Sequence, residues 1–327
     1  MSLKDRLLAD VFADSALSAG DDPYVTSATA IDAIDEIAND DKIARAFARR
    51  SDEAMVFLKA LNRTDIDDRE DILYNLFTED GVIRELARAG YADDIWALLD
   101  QFSENEMVIF FSSDGAIQGL VENGEYAQQI MEIIREAHPD DQRAILAADG
   151  SVYALSENAE YAEEMMELVR EMPLVDQRTV LSADSAVDGL AYNSDYAEEI
   201  MGIVMRLREV DRVSILGSDG AVYQLCKAGY ANDVVDTLEA LGPTMQKRIL
   251  AADNSIEGLV LADPENASII MSIVRELEPK HQKHVFRAGG AAESLADNGY
   301  LEEVNRIQGS LGMRLYDPDA PADEHTL

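Results

Sequence analysis

Apolar residues in this chain follow a helical period, and the pattern itself recurs about every 35 residues. The clearest copy, residues 149–169, reads D-G-S-V-Y-A-L-S-E-N-A-E-Y-A-E-E-M-M-E-L-V. Its first position, called the anchor below, recurs at intervals of 34 to 36 residues at Asp80, Asp114, Asp149, Asp184, Asp219, Asp253 and Gly289. A second position recurs in step at Tyr91, Tyr126, Tyr161, Tyr196, Tyr230, Asn266 and Tyr300. A fixed period of this length indicates an array of structural repeats.

Each copy is predicted to contain three helices. The first precedes the anchor, as in residues 140–148, and an Asp-Gly or Asp-Ser turn follows, in which Asp is a favoured N-cap. The second helix places an apolar residue six positions after the anchor, at Leu86, Leu120, Leu155, Leu190, Leu225 and Leu259. The third begins near the recurrent Tyr, with a stripe such as Tyr126, Ile130, Ile133 and Ile134. We therefore expect an all-α fold, an α-solenoid of seven to eight repeats of ~35 residues with an atypical N-terminal cap.

The same pattern divides the chain into four predicted segments. Residues 1–40 form an N-terminal helical cap with helices over about 3–17 and 28–39, and 41–78 form a degenerate first repeat. In that repeat Phe47 aligns with Leu86, and an acidic loop lies within its connector, residues 61–71. Residues 79–312 are the repeat array, and 313–327 are an acidic tail, predicted to be disordered after Asp317.

The period, the three-helix unit and the Asp-Gly junction are similar to Pumilio-type RNA-binding repeats, and the Gly-Tyr-Ala step at residues 90–92 and 229–231 resembles ankyrin repeats. The chain departs from both patterns. It has no recurrent Asn/Gln pair or basic surround for reading bases, and no T-P-L-H motif. The resemblance implies a shared repeat architecture, and no functional residue is transferred from either family.

The net charge of the chain indicates which classes of partner it is expected to bind. The chain has 65 acidic and 27 basic residues, a formal net charge of −38. Such a surface repels nucleic-acid phosphates and anionic lipids, so we expect neither direct nucleic-acid nor membrane binding. Only seven of the basic residues are Lys. Two interpretations remain, adaptation to a salty cytoplasm or attraction of a basic partner. A single cysteine, no signal peptide and no apolar run of 18 residues favour a cytoplasmic protein.

Candidate chemistry in the sequence has a structural explanation in each case. The anchor Asp residues could form a row of cation ligands, but the helix N-cap is the favoured interpretation. The acidic doublets after each Tyr suit the first turn of a helix. His281 and His284 have no neighbouring Cys, and the loop 65–71 lacks the Gly and Glu of a calcium loop. Cys226 follows a core leucine, which indicates a buried, inert thiol. We predict no catalytic residues, no metal, no cofactor and no enzymatic activity.

The function is predicted from a position that varies between copies. Four residues after each anchor the residue changes freely, at Arg84, Gln118, Tyr153, Asp188, Tyr223, Glu257 and Glu293, called the four-row below. These side chains are either free surface or a recognition row. The first six are the predicted partner-binding residues, and among them the aromatic side chains of Tyr153 and Tyr223 are expected to make the main contacts with the partner. The recurrent Tyr ladder is instead expected to pack between copies.

We therefore expect a non-catalytic scaffold that binds a protein or peptide along its concave face. The alternatives are an acidic mimic of nucleic acid that occupies a basic protein, and a helical module that accompanies an enzyme on another chain. No oligomeric state follows from the sequence.

Overall fold

The computed structural model describes residues 3–17, 32–34, 36–37, 40–62, 69–79, 81–192 and 194–317. These ranges contain helices and turns but no strand, which confirms the all-α prediction. Within them, no helix has both the length and the apolar character that a membrane crossing requires. The chain divides into two compact units, Met1–Met165 and Met166–Leu327.

Several predictions concern residues outside the described ranges. Asp80, most of the acidic loop 65–71 and the tail after Asp317 lie there. Of the second cap helix, only residues 32–34 and 36–37 are described, and they are helical. The first cap helix is present, as predicted, over Leu3–Leu17.

Helices of the first unit follow the predicted order of first, second and third helix in each copy. After Leu3–Leu17 they are Asp41–Ala48, Ser51–Asn62, Arg69–Thr78, Val82–Leu86, Ala92–Leu99, Glu104–Phe111, Ala116–Asn123, Ala127–Glu136, Pro139–Leu146 and Ser151–Ser156. The helix Ala159–Glu171 contains the boundary residue Met165.

The second unit continues the same order. Its helices are Leu174–Leu181, Ala186–Ala191, Ser194–Arg206, Glu209–Leu216, Ala221–Leu225, Ala231–Ala240, Pro243–Leu250, Ser255–Ala262, Asn266–Glu276, Pro279–Val285, Ala291–Leu295 and Leu301–Ser310. In three copies a five-residue kinked segment of π-helical character joins the second helix to the third, at Ala87–Tyr91, Cys226–Tyr230 and Ala296–Tyr300. The glycine before the Tyr has positive φ in each, as at Gly229, where φ is 101°.

The turn after each anchor differs from the prediction. The N-cap of the second helix is the residue after the anchor, and its backbone is left-handed in every copy from Gly81 to Gly290. This conformation explains the preference for glycine, although Ser185 and Asn254 adopt it with φ of 58° and 61°. None of these residues makes a side-chain cap hydrogen bond. The N-cap role predicted for the anchor Asp is therefore wrong.

The core consists of the apolar positions that the period identified. The leucine six positions after the anchor Asp is at most 1% exposed in all six copies that begin with Asp. These residues are Leu86, Leu120, Leu155, Leu190, Leu225 and Leu259. Phe47 takes the corresponding place in the degenerate copy, where it is fully buried and stacks on Phe12 of the cap helix with ring centroids 5.5 Å apart. The helix Leu3–Leu17 thus packs its Phe12 ring on the core of the following segment.

Candidate functional site

Anchor residues of consecutive copies are joined by hydrogen bonds. Oδ1 of Asp114 accepts from the backbone amide of Asp149 at 2.9 Å, and Oδ1 of Asp219 accepts from the amide of Asp253 at 2.9 Å. The backbone amide after the anchor donates in the other direction, from Gly115 to the carbonyl of Asp149 at 2.9 Å. These carboxylates therefore connect one copy to the next. The described residues include no group of three or more His, Cys, Asp or Glu side chains placed to hold a metal ion.

Second helices of neighbouring copies approach each other very closely. A Cβ on Gly119 would lie 2.6 Å from the Cα of Arg84, and a Cβ on Gly258 would lie 2.5 Å from the Cα of Tyr223. Both distances are far shorter than real Cβ contacts, so only glycine fits at these two positions. The four-row residues Arg84 and Tyr223 therefore lie in direct contact with the second helix of the next copy.

The predicted partner-binding residues are all half-buried. The next copy of the same unit approaches five of them closely, which covers part of the side chains of Arg84, Gln118, Asp188, Tyr223 and Glu257. Asp188 Oδ1 accepts a hydrogen bond of 2.7 Å from Gln224, and Gln118 donates to Glu122 at 2.6 Å. A Cβ on Gly150 would meet the side chain of Gln118 at 2.6 Å. The four-row therefore contributes to contacts between copies as well as to the surface.

A second row was missed by the sequence analysis. The residues eight positions after each anchor are Arg88, Glu122, Glu157, Tyr192, Lys227, Leu261 and Asp297, called the eight-row below. All seven are exposed, and Tyr192 and Leu261 are 78% and 67% exposed despite their apolar character. The ammonium of Lys227 lies 5.2 Å from the centre of the Tyr192 ring. In Ala116–Asn123 and Ser255–Ala262 both rows lie within the second helix, where a separation of four residues, about one turn, places them on one face. In the other copies the eight-row residue follows the end of the second helix.

Two adjacent grooves open on this face in the second unit. The larger, of about 470 Å³, is lined by Tyr223, Cys226, Lys227, Gly229, Ala231, Asn232, Gly258, Leu261, Ala262 and Asp263. The smaller, of about 230 Å³, is lined by Glu257, Val260, Leu261, Gly290, Glu293, Ser294, Asp297 and Asn298. Leu261 borders both grooves. The predicted residues Tyr223 and Glu257 thus each line one of two neighbouring depressions.

Two members of the tyrosine ladder, Tyr91 and Tyr126, contact the preceding copy, which is the packing predicted for the ladder as a whole. The Tyr91 hydroxyl donates to Asp52 at 2.6 Å, and the Tyr126 hydroxyl donates to Asp93 at 2.7 Å. The Tyr126 ring stacks on Trp96 with centroids 4.4 Å apart. Burial, together with the hydrogen bond to Asp93, raises the pKa of Tyr126 to about 12. These two tyrosines thus bind side chains of the preceding copy.

The acidic doublets also make contacts between copies. Their second carboxylate pairs with a basic residue of the previous third helix, in Lys59–Asp94 at 2.7 Å, Arg170–Glu199 at 2.7 Å and Arg275–Glu303 at 2.6 Å. The hydrogen bond from Arg275 lowers the pKa of Glu303. Exposed pairs of this kind each contribute up to about 1 kcal/mol. They give the doublets a role beyond the helix dipole that the sequence suggested.

The remaining titratable candidates show no catalytic arrangement among the described residues. Burial raises the pKa of the Cys226 thiol to about 12, so the thiolate that a nucleophile requires is suppressed. The positive charge of Lys247 lowers the pKa of His284. His281 is half-buried, and its Nδ1 has no hydrogen-bond partner among the described residues.

The chain matches no protein-family model and no curated protein. The function of the chain is therefore inferred from its own residues, above all from the four-row and the eight-row.

Proposed function

We propose that this chain is a non-catalytic α-helical repeat scaffold that binds another protein or a peptide along the concave face of an α-solenoid. The main support is the close approach of neighbouring second helices at Gly119 and Gly258, which aligns equivalent positions within each unit. Aligned positions of a repeat array form rows on one surface, and such rows are the usual recognition surface of solenoids.

The chemistry of the rows supports recognition over simple solvation. The hydrogen bonds between anchors of neighbouring copies use backbone groups and anchor carboxylates, which recur. The four-row and the eight-row vary from copy to copy and include Tyr153, Tyr192, Tyr223 and Leu261. Large aromatic side chains at partly exposed positions are typical of interface anchors. Because the chain has a net charge of −38, a basic partner would associate with it faster than a neutral partner would.

Capture of partners from a lysate of the native host tests this function. The full chain is immobilised beside a Tyr153→Ala, Tyr223→Ala double variant whose helical content and thermal unfolding match the parent. We expect proteins retained by the parent, identified by mass spectrometry, to be depleted on the variant. Equal retention by both would reject the four-row as the binding surface.

The dependence of binding on salt concentration distinguishes the proposed scaffold from its alternative, an acidic mimic of nucleic acid. An interface with apolar and aromatic anchors should persist when the salt concentration is raised about tenfold, whereas mimicry depends on charge and should weaken steeply. Complete release of every captured protein at high salt would favour mimicry. Small-angle X-ray scattering tests the solenoid itself, which at about 10 Å per helix layer should be an elongated, curved particle.

A further inference from the structure

We propose that the two grooves beside Leu261 form a docking site for a basic peptide segment that also contains a large apolar side chain. This inference rests on the proposed function, because it names the site and the partner class for the same concave face. It differs from the sequence prediction by placing the central contact on the eight-row instead of the four-row.

Leu261 is exposed without a structural reason within its own helix. In Ser255–Ala262 the side chains of Ile256, Leu259 and Val260 are at most 2% exposed, so the core is already filled from this helix. Leu261 is 67% exposed and borders both grooves. An apolar side chain of a peptide in the larger groove would therefore remove Leu261 from water together with the wall formed by Tyr223 and Ala262.

The smaller groove determines the charge of the occupant. Among the residues that the structure describes, it is lined by three carboxylates, Glu257, Glu293 and Asp297, and by no basic residue. The larger groove has one of each sign, Lys227 and Asp263. Lysine or arginine side chains are thus favoured next to Leu261 on one side, and an apolar side chain on the other. Phosphate-bearing ligands are disfavoured by the same carboxylates.

Peptide is the polymer that suits this arrangement best. Both depressions are open grooves side by side, which a short segment can fill with two different side chains. A peptide segment with a basic residue beside a bulky apolar one fits both grooves. The net charge of −38 on the chain attracts such a segment over longer distances. This combination gives apolar contact for affinity and charge complementarity for specificity.

Selection from a random dodecapeptide phage library on the full chain, followed by fluorescence anisotropy with synthetic copies of the enriched peptides, tests the inference. We expect enriched peptides to combine Leu, Phe or Trp with Lys or Arg. Leu261→Ala should weaken their binding about tenfold, as expected for a central contact. Glu257→Gln with Glu293→Gln should weaken it several-fold and reduce its dependence on salt. Val210→Ala, an exposed apolar change on another helix of the second unit, is the matched control and should have no effect.

The outcomes distinguish this inference from the function on which it rests. Peptides that bind Leu261→Ala as well as the parent, but lose affinity in Tyr153→Ala, would overturn the docking site and leave the scaffold function intact. Enrichment of acidic peptides would likewise overturn it. If no peptide is enriched and the host lysate yields no partner, both proposals fail. Circular dichroism of each variant verifies that the fold is retained.

Discussion

Asp114 and Asp149, equivalent residues of consecutive copies, are joined by a hydrogen bond of 2.9 Å from the Asp149 amide to the Asp114 carboxylate. The amide of Gly115 donates in return to the Asp149 carbonyl, also at 2.9 Å. The two bonds satisfy the backbone groups of a sharp turn, where the left-handed residue leaves them without helical partners. The recurrent Asp is thus explained by the junction between copies.

Replacement of Asp114 by Ala should lower the free energy of unfolding by about 0.5–1.5 kcal/mol, because the Asp149 amide loses its partner at a partly exposed site. Urea denaturation followed by circular dichroism measures this change. Asp114→Asn is the matched variant, since its amide oxygen can accept the same hydrogen bond. If Asp114→Asn loses as much free energy of unfolding as Asp114→Ala, the charge of Asp114 and not this hydrogen bond stabilises the junction.

Ser185→Gly should raise the free energy of unfolding by about 1 kcal/mol. Ser185 occupies a left-handed conformation with φ of 58°, which costs a residue with a Cβ roughly 1–2 kcal/mol. Gly220→Ala is the reverse change at the equivalent turn. There φ is 73° and the new Cβ would lie 2.7 Å from Asp188, so we expect destabilisation. Thermal melts of the two variants should move in opposite directions, and a lower melting temperature for Ser185→Gly would contradict the argument.

Gly258→Ala should destabilise the second unit by about 1–3 kcal/mol, as expected for overpacking. Its Cβ would lie 2.5 Å from the Cα of Tyr223, and backbone cannot rotate away as a side chain can. Gly202 supplies the control, because a Cβ there meets nothing within 4 Å and the residue lies within the helix Ser194–Arg206. Gly202→Ala should stabilise the protein by about 0.5–1 kcal/mol through helix propensity. Denaturant midpoints that fall equally for both would contradict close packing at Gly258.

Tyr126 should make stability fall with alkaline pH. Its pKa is raised to about 12 in the folded state from an ordinary value of 10.0, so the unfolded chain loses this proton first. The contribution is fully present below pH 10 and is lost as pH rises towards 12. Urea midpoints measured across that interval should fall less steeply for Tyr126→Phe than for the parent. Identical slopes would show that the Tyr126 hydroxyl titrates normally.

Helix type, order and burial could be predicted because they depend on local periodicity. Leu86, Leu155 and Leu225 are buried because apolar residues at helical spacing must face a core. The role of Asp114 could not be predicted, since its hydrogen-bond partner lies 35 residues away and N-capping explains the same residue locally. Leu261 was missed because the eight-row shares no chemistry among copies, and only its one-turn spacing from the four-row could have indicated it.

The hydrogen bonds between Asp114, Gly115 and Asp149 use one side chain and otherwise only the peptide backbone. Every copy that has an Asp followed by a residue able to adopt positive φ can therefore form this same joint with its neighbour. Gain or loss of a whole 35-residue segment by unequal recombination would leave these joints intact. A lineage of this protein could lengthen, shorten or reorder its recognition surface one segment at a time, while mutation alters each segment's exposed residues independently.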